Sequence, residues 1–313
     1  MAEKIATREA YGNALVEFGE KYKDLVVLDA DVSSATKTAA FGKKFPERFI
    51  NCGIAEGNMV SVAAGIAATG KIPFASSFAM FAAGRAFEPI RNAIGYPHLN
   101  VKIGATHAGI TVGEDGATHQ CCEDIGIMRT IPGMTIINPA DAVEARAAVE
   151  AAILYKGPVY MRFGRMAVPV LFDKETYKFE MGKGVWMNEG SDAAIVATGI
   201  MVSEAIKARE ILAAEKIDAA VINIHTIKPI DKDIIIKAAK TGAVITAEEH
   251  NIIGGLGSAV AEVLSENSPC QMGRIGIQDE FGRSGKADEL MKIFKITAED
   301  IALKVKEIIK LKK

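Results

Sequence analysis

Short apolar runs rich in Val, Ile and Ala alternate with longer stretches of helical periodicity along the whole chain, the pattern of parallel α/β architecture. An opening helix is expected over residues 7–22, followed by the strand LVVLDA, whose branched run ends in acids at Asp29 and Asp31. ERFINCG reads as a second strand. It leads into an Ala- and Met-rich helix that begins near Glu56 and stops at Gly70, where a left-handed cap costs little. KIPFASS, NVKIGAT and MTIINP supply further strands, and PVYMRF closes this half.

Between about Met166 and Gly190 the pattern loosens, and the spacing predicts an extended connection with one hairpin. Alternation then resumes with strand DAAIVATG, a helix over 202–214, strand DAAVINI, a helix after Pro229, strand GAVITAEE and a helix after Gly257. A capping box, Thr297 with Asp300, opens the final helix. The expected fold class is therefore α/β, with two parallel-sheet domains at 1–165 and 190–313 joined by a connection at 166–189.

Composition narrows the class. A chain of 313 residues is long enough for two domains with real cores, and 29 Gly and 10 Pro exclude collagen-like or disordered classes. With 37 Lys+Arg against 39 Asp+Glu, there is no electrostatic footprint for nucleic acid or an anionic membrane. The lysines of the tail are interleaved with Val, Ile and Leu as one helix requires. The opening MAEKIATREAYG lacks a signal-peptide core, and no window approaches the ~18 apolar residues of a membrane span. The expected compartment is the cytoplasm. Cys52, Cys121, Cys122 and Cys270 fit neither zinc spacing nor a CxxC pair, so they read as reduced packing thiols.

Function must then come from local motifs. In parallel α/β sheets, sites lie at the carboxyl ends of strands. Four loops there carry polar residues: one starting at Asp29, one from Asn51 to Glu56, one from Ser76 to Phe81, and one from Thr106 to Gln120. The last places His107, His119, Glu114 and Asp115 among three glycines, a convergence suited to general acid–base work. Each loop also has a plainer reading. Glu56 suits a helix N-terminus electrostatically, Phe78 and Phe81 suit a core, and the histidines suit a satisfied loop. GGLGSA, from Gly254, resembles a dinucleotide turn only faintly, because it lacks the full GxGxxG after a first strand.

The strings GIAEGNM, SSFAMF and THAGITVGEDGATHQ together resemble the pyrimidine-binding domain of transketolase, and residues 190–313 resemble that enzyme's C-terminal domain. The third string is the most specific, because both histidines and the Asp fall at the family's spacing. The resemblance implies a pyrimidine-binding fold followed by a transketolase C-terminal-like domain, with thiamine diphosphate as cofactor. Such enzymes also need a domain with a GDG-type motif for the diphosphate and its Mg2+ or Ca2+, and no such motif occurs in this chain. The resemblance thus implies the C-terminal half of a split transketolase. A companion subunit would hold the metal, a second copy of this chain would touch the first, and the assembly would be a heterotetramer acting on sugar phosphates.

Residue by residue, the resemblance implies that Glu56 faces the aminopyrimidine ring nitrogen and shares a proton with it, with a carboxyl pKa raised by burial. Phe81, with Phe78 behind it, would stack on that ring, and Asp31 would approach the thiamine moiety. The family's further aromatic position is Gly84 here, which implies a thinner pocket. His119 would contact the donor ketose near its reacting end, and Asp115 would bind a substrate hydroxyl. His107, Arg162 and Arg8 would bind the sugar phosphate, with Ser34 assisting. Deoxyxylulose-phosphate synthase, the beta subunit of 2-oxo acid dehydrogenases and a non-catalytic assembly subunit are the rival readings. The pairing of His107 with Asp115 favours transketolase over the first two, and the intact Glu56 argues against the third.

Overall fold

The branched runs become strands buried on both faces, as parallel strands covered by helices must be. The computed structural model describes residues 3–312. The first half contributes β1 (Lys4–Ala6), β2 (Leu25–Asp29), β3 (Phe49–Asn51), β4 (Ile72–Phe78), β5 (Lys102–Thr106), β6 (Thr135–Ile137) and β7 (Val159–Arg162). The second contributes β8 (Ala167–Pro169), β9 (Val185–Asn188), β10 (Ala193–Ala197), β11 (Ala219–Asn223), β12 (Thr226–Lys228), β13 (Ala243–Asn251) and β14 (Gln271–Ile277).

One sheet has seven strands in the order β12-β6-β7-β5-β4-β2-β3, and another has five in the order β14-β13-β10-β11-β9. Each is parallel except at one edge, where β12 pairs antiparallel with β6 and β9 antiparallel with β11. The α/β reading of both halves holds, and the strand alternation that produced it is visible in the fully buried β5, β10 and β11. The opening helix spans Thr7–Lys21, and the helix Glu56–Ala68 ends before Gly70 at φ +90°. The helix Ala298–Ile309 carries the expected capping box, with Asp300 accepting from the Thr297 backbone at 3.1 Å.

Three features depart from expectation. The connection forms no hairpin: β8 pairs with β1, whereas β9 joins the C-terminal sheet. The connection thus supplies β11 with its antiparallel edge partner, Val185–Asn188. Strand β14 escaped the pattern because glycines interrupt QMGRIGI. Finally, β12 returns from the C-terminal half to the edge of the first sheet, where the Lys228 ammonium also donates to the carbonyls of Arg129 and Ile131 at 2.7 and 2.6 Å. That strand ties the two domains together.

GGLGSA opens the helix Leu256–Asn267. The amides of Leu256 and Gly257 donate to the Glu248 carboxylate at 2.6 and 2.7 Å, so the positive end of this helix is closed by the chain's own acid. Among the described residues, no helix is long and apolar enough to cross a membrane.

Candidate active site

The carboxyl ends of β2, β3, β4 and β5 lie side by side, and their following loops converge. The loop after β3 delivers Glu56 as the first residue of a helix, with the side chain 2% exposed. Its two oxygens accept from Arg85 Nη1 at 3.2 and 3.0 Å. Arg85 lies at the end of a π-helical turn, Met80–Arg85, that follows β4 directly, and its guanidinium sits 4.9 Å above the Phe81 ring. Gly84 leaves room that the Met80 methyl fills, 2.7 Å from where a Cβ would stand.

Four rings form one block. Phe78 stacks on the His107 imidazole at 3.8 Å between centroids and on Phe81 at 5.8 Å. His119 meets Phe81 edge-on at 5.3 Å and Phe78 at 6.3 Å. The two histidines therefore flank a phenyl shelf that runs toward Glu56. A planar donor with a π-face, such as an aminopyrimidine, has here both a ring to stack on and a buried carboxylate to meet. The Arg85 guanidinium, itself planar and rich in N–H groups, already makes both contacts. The residues present fit the pyrimidine end of thiamine diphosphate.

The opposite rim is cationic. Arg8 Nη1 lies 2.9 Å from His107 Nε2 and 3.0 Å from the Ala35 carbonyl. Because a guanidinium has only donors, Nε2 accepts, which places the His107 proton on Nδ1 facing Thr106 Oγ1 at 2.9 Å. Burial, then the charges of Arg8 and Arg165, push the His107 pKa down to about 3, so the imidazole is neutral at ordinary pH. The Nε nitrogen of Arg8 is buried without a partner. Arg165 Nη1 donates to the Val112 carbonyl and lies 3.2 Å from Glu114, with its side chain 37% exposed. Ser34 is exposed on the short helix whose Ala35 carbonyl holds Arg8, and Lys37 follows it. Asp115 is exposed at the tip of the long loop, and Asp31, at φ +65°, accepts from Asn51 Nδ2 at 2.9 Å.

Most of the expected side chains are brought to this face, but Arg162 is not among them. It lies inside β7 with its side chain 4% exposed, and its Nε donates to Asp124 at 2.9 and 3.1 Å. Its Nη2 donates to the carbonyls of Cys121 and Glu249 at 3.3 and 2.8 Å. Burial alone would lower its pKa, yet Asp124 and Glu249 hold it above the ordinary value. The expectation of a phosphate contact from Arg162 meets a different placement: the side chain is buried, and its Nε and Nη2 donate within the protein. The arginine on the open face is Arg165, beyond the carboxyl end of β7. Arg85 was also missed, since nothing in FAMFAAGR distinguishes it from a solvated helix charge. Cys121 and Cys122 are buried free thiols, with pKa values raised by burial and then by neighbouring acids, which agrees with packing rather than redox exchange.

Comparison with known proteins adds a family. Residues 3–170 match the family "Transketolase, pyrimidine binding domain", and residues 182–301 match "Transketolase, C-terminal domain". A putative transketolase C-terminal section from Methanocaldococcus jannaschii is 54% identical, over 97% of this chain and 96% of that one. A 6-deoxy-6-sulfo-D-fructose transketolase subunit from a Clostridium species is 44% identical, over 96% of this chain and 94% of that one. Among solved structures, a split gene transketolase described as an inactive beta4 tetramer superposes with a TM-score of 0.91 at 51% identity, covering 99% of this chain and all of the other.

Proposed function

The chain belongs to the transketolase family, and from that premise we propose that it is the C-terminal subunit of a two-chain transketolase. In this reading it transfers a two-carbon ketol unit from a ketose phosphate to an aldose phosphate, in the cytoplasm. It is active only when assembled with a companion chain that holds the diphosphate and a divalent cation. The observation that carries the reading is the buried Glu56 carboxylate at the end of the Phe78–Phe81 shelf, with a cationic rim across from it. Ile54, two residues before Glu56, is 78% exposed, and an apolar side chain in that place suits coverage by another subunit. The pairing of such a chain with itself is described for the beta4 tetramer, which is inactive.

Thiamine diphosphate, when bound, supplies the electron sink for carbon–carbon bond cleavage. The tasks of this chain are to hold and to orient. With the cofactor bound, the Glu56 carboxyl would accept and return a proton at the pyrimidine ring nitrogen, in the place where Arg85 donates in this structure. Phe81, backed by Phe78, would stack on the ring, and Asp31 would approach the thiamine moiety. His119, edge-on to the shelf, would bind the reacting end of the ketose, and Asp115 a further hydroxyl. Neutral His107 is a hydrogen-bonding group, not a cation. Arg8 and Arg165 supply permanent charge for a phosphate, Arg8 with an unpartnered buried N–H and Arg165 with its planar fork, and Ser34 adds a hydroxyl.

The test combines this chain with a candidate companion, thiamine diphosphate and Mg2+, then follows two-carbon transfer from xylulose 5-phosphate to ribose 5-phosphate. Transfer that needs both chains is expected. Pyruvate-dependent release of carbon dioxide would move the chain to the 2-oxo acid enzymes. A stable complex inert to every donor would leave an assembly subunit.

A further inference from the structure

The substrate-side loop is built from backbone conformations that most residues rarely adopt. His107, Gly109, Gly113 and Gly116 have φ of +56°, +77°, +89° and +75°. Gly109, at ψ −170°, is in a region that side chains avoid. Gln120 Nε2 ties the Ile110 and Gly113 carbonyls from within the loop at 3.0 and 3.3 Å, and the Ala108 amide donates to the Phe163 carbonyl of the same domain at 3.2 Å. The turn from Gly109 to Thr111 also takes a contact from the other domain.

At the carboxyl end of β13, Glu249 is 3% exposed, and its carboxylate reaches across the domain boundary into the loop. Its Oε1 accepts from the Thr111 amide at 2.6 Å. A Cβ on Gly109 would fall 2.2 Å from Glu249 Cδ and within 2.6 Å of both oxygens, so the loop backbone lies directly on the carboxylate. The base of the loop closes where the Gly109 amide donates to the Cys121 carbonyl at 2.8 Å. Arg162 Nη2 donates to that same Cys121 carbonyl and to the Glu249 carbonyl, so the acid and the loop share one clamp.

We propose that Glu249 is a positioning residue for ketol transfer: by holding the turn from Gly109 to Thr111, it sets where His107 stands relative to Asp115 and His119. Glu249 is committed to the loop backbone rather than displayed on the open face. It acts through the loop, which gives the C-terminal domain a part in substrate recognition. The chemistry explains the residue type, because the inward Thr111 N–H needs a buried acceptor there, and a carboxylate supplies one.

The inference rests on the proposed activity for its kinetic arm but not for its exchange arm. Hydrogen exchange on the purified chain should show the 106–120 peptide exchanging roughly tenfold faster in Glu249→Ala, the scale of one lost buried hydrogen bond, with β10 and β11 unchanged. In the assembled enzyme the same variant should raise KM for the phosphorylated donor about tenfold while kcat changes less. Glu249→Gln, which keeps an acceptor oxygen, should restore both. If Glu249→Ala fails to fold, Glu249→Met, of similar length without an acceptor, is read in the same way. Loop exchange that matches wild type in a folded variant would overturn the proposal, as would protection lost across the whole C-terminal domain without selective loosening of the loop. An inactive wild-type complex would instead count against the proposed function and leave the exchange arm to decide this one.

Discussion

Arg162 and Arg165 stand on either side of a short loop and belong to two regions built from the same residue types. One is the open face, with Arg8, Arg85, Arg165, Glu56, His107 and His119. The other is a seam between the domains, with Asp124, Arg162, Glu248, Glu249 and His250. In the seam Tyr160 donates to Asp124 at 2.9 Å, the Gly126 amide donates to His250 Nε2 at 3.2 Å, and every one of these ionisable groups is buried. On the open face Arg85, Arg165 and Asp115 keep hydrogen-bonding capacity toward solvent. The difference teaches that the same residue types serve packing where they are buried and paired, and stay available to a ligand where they face solvent. A buried charge paired with other buried groups is costly to desolvate and serves the packing between the domains.

The sharpest way to break the comparison is Asp124→Ala, which strands the Arg162 guanidinium in the seam. Its expected cost is about 3–5 kcal/mol of folding free energy, read by chemical denaturation. A loss near zero would mean the seam is no more committed than the face. On the face, Glu56→Gln should lower turnover of the assembled enzyme about 10²–10⁴-fold, with the unfolding midpoint nearly unchanged and only a modest loss of cofactor binding. Near-wild-type turnover would remove Glu56 from the chemistry.

Arg165→Ala separates the two arginines. It should raise KM for a phosphorylated donor roughly tenfold or more, the value of a charge-assisted hydrogen bond, and leave KM for an unphosphorylated analogue unchanged. Equal effects on both donors would mean that Arg165 only shapes the loop.

A further effect concerns pH. Glu144, on the helix Ala142–Leu154, is fully buried between the domains, bonded to Tyr177 and to Asn223 at 2.9 Å. Burial pushes its carboxyl up to about 7 from 4.5. The folded state therefore keeps the proton longer than the unfolded one. The stability this contributes is fully present below about pH 4.5, declines as pH rises and is lost above about pH 7. Glu144→Gln should flatten that slope by up to about 1.4 kcal/mol per pH unit, seen in urea unfolding at pH 5, 6 and 8. An unchanged slope would show that Glu144 does not titrate in the fold.

The order of strands and helices was legible because burial on one or both faces imposes a period along the chain, and no distant partner is needed to see it. Strand β14 was lost where Gly273 and Gly276 replace side chains. Ile308 and Lys304 cover Gly273 from the last helix, an arrangement that no local pattern reports. Strand β12 was lost because its partner β6 lies in the other domain. In the site, the loops were legible because polar residues at strand ends ask for a reason. Arg162 was misjudged because a basic residue in YMRFGR can lie within the strand or beyond it, and the strand's end decides which.

The sequence by itself determined the α/β class of both halves, the loops that gather polar residues at strand ends and the family they belong to. These follow from local periodicity and from residues close together in the chain. The tertiary structure alone decided which arginine faces outward, that Arg85 covers Glu56 and that Glu249 supports the loop. Those outcomes rest on contacts between distant segments, such as Thr111 with Glu249 across 138 positions. Packing at that range selects among partners that the sequence leaves equally available.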